Sequence, residues 1–282
     1  MKKEVRTTCF DNNLGVEAYV LEGIVQPFPN HMHEYYVIGY MASGERYLSC
    51  KNKEYILREG NMVLFNPRDS HACAQFGTEP LHYLGMNISK NIMKRIVKEI
   101  TNLEELPYFT PNVLVDKEVA YYFQIFHDNI MKGSGEFEND ELLFFMISML
   151  LKRYNDSFQE KEICLDNEVD VLCDFLEEHY EETTSLEALC DLVGLSKSSL
   201  LRAFTKSKGM TPYRYLQSIR IGAARKMLEQ GESIIDTALK TGFSDQSHFT
   251  KYFILFIGLT PGTYRDIFLR QLEERNIDED KT

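Results

Sequence analysis

The chain has 282 residues, of which 44% are hydrophobic and 26% charged, and a formal net charge of −12. These proportions exclude disordered and collagen-like chains and leave room for more than one packed core. No apolar run reaches the ~18 residues of a membrane span, and no apolar stretch follows Lys2 and Lys3, so neither an anchor nor a secretory signal is expected.

Residues 10–88 carry strand signals. The segments "YVLEGIVQPFPN", "EYYVIGYMASGERYLSC", "KEYILREGNMVLFNPRDSH" and "LHYLGMNIS" are short and rich in Tyr, Val and Ile, and Gly, Pro and Asn break them. Their even spacing predicts an antiparallel barrel or sandwich. After Ser89 the period turns helical in "SKNIMKRIVKEI" and "DKEVAYYFQIFHDNIMK". "ENDELLFFMISMLLKRY" opens with acids and closes with bases, as a helix dipole prefers. It is apolar nearly all round, which suits either a core helix or a subunit interface. The polar stretch "NDSFQEKEICLDN" reads as a linker. Helical pattern resumes at Glu168 and runs to about residue 275, before a frayed tail, "NIDEDKT". The six cysteines, Cys9, Cys50, Cys73, Cys164, Cys173 and Cys190, form no CxxC pair. That argues against a zinc ribbon or a disulfide framework and suits a reducing cytoplasm.

The whole acidic excess sits in residues 1–180, and residues 181–282 are balanced. From Leu192 to Leu228 there is no Asp or Glu, yet Lys197, Arg202, Lys206, Lys208, Arg214, Arg220, Arg225 and Lys226 all fall there. Such a stretch is either a solvated helix face or a surface for a polyanion.

An internal repeat favours the polyanion. "LLRAFTKSKGMTPYRY" at 200–215 matches "FTKYFILFIGLTPGTY" at 249–264: Phe204 with Phe253, Gly209 with Gly258, Thr211-Pro212 with Thr260-Pro261, Tyr215 with Tyr264. A Gly-apolar-Ser turn precedes each copy, at 194–196 and 242–244. Each unit therefore predicts a helix-turn-helix. In the first, Ser185 caps "SLEALCDLV", Gly194 ends it, and Ser196 caps the next helix. There Leu200, Ala203 and Phe204 share the inner face. Lys197, Ser198, Leu201, Arg202 and Thr205 share the outer one, suited to a major groove about 12 Å wide. In the second copy Gln246, Ser247, Thr250 and Lys251 point out. Gln pairs with adenine, Arg with guanine, and a Leu or Thr methyl packs on thymine. In the helix between, Arg220 and Arg225 are either phosphate contacts or solvated.

Residues 168–270 resemble the DNA-binding domain of the AraC/XylS family of bacterial transcription regulators. The resemblance is carried by "SLEALCDLVGLSKSSLLRAFTKSKGMTPYRYLQSIRIGAARKML" and "SIIDTALKTGFSDQSHFTKYFILFIGLTPGTYR". It implies that Ser198, Leu201, Arg202, Gln246, Ser247, Thr250 and Lys251 read bases, with Lys197 beside them. It also exposes a departure. The family usually has a basic residue directly after the second Phe, where this chain has Ile254, Leu255 and Phe256, so the second unit is expected to add less affinity than the first.

The N-terminal half is similar to the family's cupin-type sensor through "HMHEYYVIGYMASGERY" and "LREGNMVLFNPRDSHAC". The fold expected is multidomain α and β. It comprises an antiparallel cupin-like β-barrel over 1–88, a helical dimerisation segment and linker over 89–165, and an all-α double helix-turn-helix over 166–275.

His31 and His33, two apart on a strand, face the same side and with His71 could form a three-imidazole metal site. Cupin enzymes add a carboxylate about four residues after the second His. This chain has none there, and Glu34 points to the opposite face. The histidines are therefore assigned to a small-molecule pocket with Tyr35, Tyr47, His82 and Tyr83, residues suited to a sugar or another polar ring. No metal, cofactor or catalytic residue is assigned, because GxSxG, P-loop and HExxH motifs are all missing. His127, His179 and His248 are expected at surfaces or interfaces.

The function expected is a cytoplasmic, effector-controlled DNA-binding regulator, not an enzyme. Its partners would be promoter DNA, a small-molecule effector, a second copy of the chain and RNA polymerase, with no membrane. A metal-dependent cupin enzyme fused to a DNA-binding module is the alternative, and a barrel that serves only protein contacts is a third.

Overall fold

Alternating burial along the N-terminal strands sets the architecture. The computed structural model describes residues 4–101, 103–155 and 166–269. Most of the expected linker and the whole expected tail lie outside these residues. The described chain falls into two compact units, taken here in turn.

The first unit opens with β1 (Val5–Asp11), β2 (Val16–Ile24), β3 (Phe28–His31), β4 (Tyr36–Ser43) and β5 (Glu45–Cys50). It continues with β6 (Lys53–Leu57), β7 (Met62–Phe65), β8 (His71–Phe76) and β9 (Leu81–Ile88). Helix α1 (Lys90–Thr101), the short β10 (Val113–Leu114), α2 (Lys117–Lys132) and α3 (Glu136–Tyr154) complete it. All pairings are antiparallel, in one sheet ordered β1-β2-β9-β4-β7-β10 and another ordered β3-β8-β5-β6. The expected barrel is thus two facing sheets. One core joins them, with Ile24, Val37, Met41, Val63 and Leu81 from the first sheet and Leu48, Cys50 and Leu57 from the second.

The β5–β6 hairpin turns on Lys51 and Asn52, both at positive φ (48° and 61°). That geometry matches the right-handed twist of the flanking strands and fixes their register. Asp116 caps α2 by accepting the backbone N–H groups of Glu118 and Val119. The same carboxylate receives Arg153 and the Tyr154 hydroxyl from the end of α3, which ties the two helices together. Helix α3 packs on α1 and α2, and Leu143, Met146, Ile147 and Leu150 are fully buried.

The second unit is helical: α4 (Asp166–Glu178), α5 (Leu186–Val193), α6 (Lys197–Lys208), α7 (Pro212–Glu229), α8 (Ile234–Lys240) and α9 (Gln246–Ile257), then a helix over 261–269. The helices from α5 to α9 each start on a cap. Ser185, Thr211, Ser233 and Asp245 accept the N–H of Ala188, Arg214, Asp236 and His248. Ser196 accepts the N–H of Ser199 at the start of α6. Gly194 and Gly258 end α5 and α9 in the left-handed region, at φ 67° and 80°.

Arg220 corrects the sequence expectation. It is neither a phosphate contact nor solvated. It is buried, and its Nε and Nη2 donate to the carbonyls of Tyr180 and Glu182, fastening α7 to the turn after α4. Arg225 donates to the Tyr264 hydroxyl. His127 also departs from expectation. It is buried, with Nε2 3.0 Å from the Tyr19 carbonyl, because α2 lies against the sheet. Among the described residues no helix is long and apolar enough to cross a membrane.

Candidate functional site

The first candidate is a cavity of about 430 Å³ between the two sheets. Strand alternation aims inward the side chains that line it. Of the predicted pocket residues, His31, His33, Tyr35, His71 and Tyr83 meet there. Tyr47 and His82 do not, which corrects the sequence expectation. Tyr47 stands between inward-facing Arg46 and Leu48, and His82 between Leu81 and Tyr83, so the two-residue period turns both outward.

The histidines form one cluster. Ring centroids are 4.8 Å apart for His31–His33, 4.4 Å for His31–His71 and 5.2 Å for His33–His71. Nδ1 of His31 donates to the Pro29 carbonyl and Nδ1 of His71 to the Asp69 carbonyl, at 2.7 and 2.9 Å. A carbonyl only accepts, so in the neutral form of either ring Nε2 is left as an acceptor. His71 stacks on Phe65 at 3.9 Å, and His33 on Tyr35 at 4.8 Å.

The loop that carries His71 is braced by Asp69. Its carboxylate accepts the side-chain amides of Asn66 and Asn112 at 3.0 and 2.8 Å. Burial pushes that carboxyl up, but these bonds and Lys51 more than reverse it, so Asp69 stays ionised. Burial pushes the His71 imidazole down to about 4; the Asp69 carbonyl opposes this, and His31 and His33 add to it. His33 is lowered by burial and by His31. At neutral pH both rings are therefore uncharged hydrogen-bonding groups.

One ligand nitrogen from each of the three rings lies within 4.8 Å of the others, close enough to hold a metal ion. The fourth, acidic ligand of cupin enzymes has no counterpart in Glu34, which pairs with Arg68 at 3.0 Å and with Lys90.

Sequence reasoning missed Arg46, Asn87, Glu17 and Tyr19 in the lining. For Arg46 a signal existed. In "ERYLSC" the inward phase is Arg46, Leu48 and Cys50, a charge in step with two buried apolar residues. Tyr19 and Tyr83 tilt toward each other at 6.1 Å, and burial pushes both phenols far up, so both stay protonated.

The second candidate is the pair of reading helices. On α9, Phe249, Tyr252 and Phe253 are buried, Gln246, Ser247 and Lys251 are exposed, and Thr250 is half-buried. On α6, Leu200, Ala203 and Phe204 are buried, and Lys197, Arg202 and Thr205 are half-buried. Ser198 and Leu201 depart from the fully open face expected of them. Both are buried, and an apolar side chain and a small hydroxyl cost little to cover. After Phe253, Ile254 and Leu255 stand 43% and 50% exposed where the family usually has a base.

Two family models match: an AraC-like ligand binding domain over residues 13–146 and a helix-turn-helix domain over 189–267. The HTH-type transcriptional regulator YbfI of Bacillus subtilis is 45% identical over 249 residues, spanning 88% of this chain and 90% of its own. The HTH-type transcriptional activator RhaS of Escherichia coli K12 is 26% identical over 242 residues, spanning 80% of this chain and 83% of its own. A transcriptional regulator structure from Chromobacterium violaceum with an AraC-type DNA-binding domain is 28% identical, covers 36% of this chain and 91% of its own, and has a TM-score of 0.34. The chain belongs to the AraC family of helix-turn-helix transcriptional regulators, with an N-terminal ligand-binding domain and a C-terminal DNA-binding domain.

Proposed function

We propose that the chain is a cytoplasmic, homodimeric regulator whose DNA affinity is set by a small polar effector held between its sheets. His31, His33, Tyr35, His71 and Tyr83 contact the effector. Arg202 and Lys197 on α6, with Gln246, Ser247, Thr250 and Lys251 on α9, contact DNA, together with Ser198 and Leu201 of α6. The effector changes which half-sites a dimer reaches together, and RNA polymerase is the downstream partner.

One observation carries the DNA half of this reading: the same capped helix, glycine turn and second helix occurs twice, with polar outward residues on α9. Phosphate neutralisation releases counterions, so binding should weaken steeply with salt. Fluorescence anisotropy on the DNA upstream of the chain's own gene, at several salt concentrations, tests it. A flat response removes the reading. Sedimentation of the free protein and of its DNA complex tests the dimer.

A further inference from the structure

We infer that the effector carries a carboxylate and that Arg46 receives it; this rests on the cavity being the effector site. Arg46 lines the cavity and is wholly buried. Its Nη2 donates to the Ile24 carbonyl, which fixes the guanidinium in place, while Nε and Nη1 are buried without a partner. Burying an unpaired charge is costly, so a buried guanidinium with two open donors calls for a partner. Among the described residues none serves, since no carboxylate lies within ion-pair distance of Arg46. Glu4, the carboxylate whose charge it feels, is exposed and accepts the Val25 N–H.

The chemistry favours a monoanion. Arg46 is the one fully buried cation of the lining, and the walls around it, Leu48, Leu57 and Leu81, are apolar. A dianionic phosphate would need more buried donors than one fork supplies.

The position sets the ligand's orientation. Arg46 and Cys50 share a face of β5 four positions apart, and Cys50 pairs with His71. The backbones bearing the guanidinium and the histidine cluster are thus separated by about 13 Å along the strand. The carboxylate enters the arginine end. The polar remainder meets the neutral imidazoles, Tyr35 and Asn87, whose Oδ1 is also buried without a partner.

Matched probes test this on the full chain by thermal shift and calorimetry: galacturonate with galactose, glucuronate with glucose, benzoate with benzyl alcohol. A hydrogen-bonded charge pair should make at least one acid bind roughly tenfold tighter than its neutral partner. In Arg46→Met that preference should vanish, and the ligand-free variant should melt at or above the parent, having lost an unpaired charge. The comparison in the parent protein needs no variant. Equal binding within every pair, or neutral partners alone, overturns the carboxylate and leaves the cavity as an effector site. Silence from every probe overturns both. A well-folded Arg46→Met that melts below the parent marks the residue as a structural strut and overturns the inference.

Discussion

Phe204 and Tyr215 meet edge to face, with centroids 5.5 Å apart and planes at 73°. Phe253 and Tyr264 repeat the joint at 5.4 Å and 69°. Each tyrosine then donates its hydroxyl to a glutamate of an earlier helix, Tyr215 to Glu177 and Tyr264 to Glu229, both at 2.6 Å. The sequence repeat is thus a repeated hinge pin, which holds each reading helix against the helix that follows it. Phe204→Ala and Phe253→Ala should each cost about 3–5 kcal/mol, since both rings are fully buried. Tyr215→Phe should cost about 1 kcal/mol. Urea denaturation measures both, and a loss below about 1 kcal/mol for Phe204→Ala would contradict the packing argument.

Gly39 pairs with Gly85 across β4 and β9, and a side chain at either would strike a cavity tyrosine. A Cβ on Gly39 meets the Tyr83 ring, and one on Gly85 meets the Tyr19 ring. The glycines therefore give the phenols room on the sheet. Gly39→Ala should push Tyr83 into the cavity, cost about 1–3 kcal/mol and abolish effector-induced stabilisation. Adding Tyr83→Leu should recover part of the stability. A Gly39→Ala protein with unchanged melting and unchanged ligand response would refute this.

His127 supplies a pH dependence whose sign follows from its burial. Burial lowers its affinity for a proton, the hydrogen bond to the Tyr19 carbonyl opposing only in part. Above the unfolded value near 6.5 the ring is neutral in both states and contributes no slope. As the pH falls below that value, the unfolded chain takes up a proton that the folded chain resists, so stability declines. His127→Gln should flatten the decline between about pH 6.5 and 5 in melting-temperature measurements. An identical pH profile in the variant would assign the slope to other groups.

The helix starts were legible in the sequence because capping is local chemistry. Ser185, Ser196 and Thr211 each sit where a free N–H needs an acceptor. The strand alternation was legible for the same reason, and it brought His31, His33 and His71 to one place. What escaped was non-local. Arg220 looks like any surface arginine until the turn at Tyr180 and Glu182 folds over it. Tyr47 and His82 are of the right type for a pocket but stand on the wrong phase of their strands. Arg46 lies in the right phase, so its inward aim was readable, but that the opposing sheet closes over it was not.

The reading helices should be unequal. Lys251 is exposed on α9, but the residues after Phe253 that could add phosphate contacts are Ile254 and Leu255, both exposed and apolar. Arg202 on α6 has basic company in Lys206 one turn on. An arginine that grips a guanine edge is worth about 1–3 kcal/mol of discrimination, so Arg202→Ala should weaken binding and relax base preference at one position. A lysine on a phosphate carries no sequence information, so Lys251→Ala should weaken all DNA alike and lower the log–log salt slope by about 1. Gel-shift titrations of both variants on specific and scrambled duplexes distinguish these outcomes. A larger loss from Lys251→Ala than from Arg202→Ala would reverse the assignment and make α9 the principal contact.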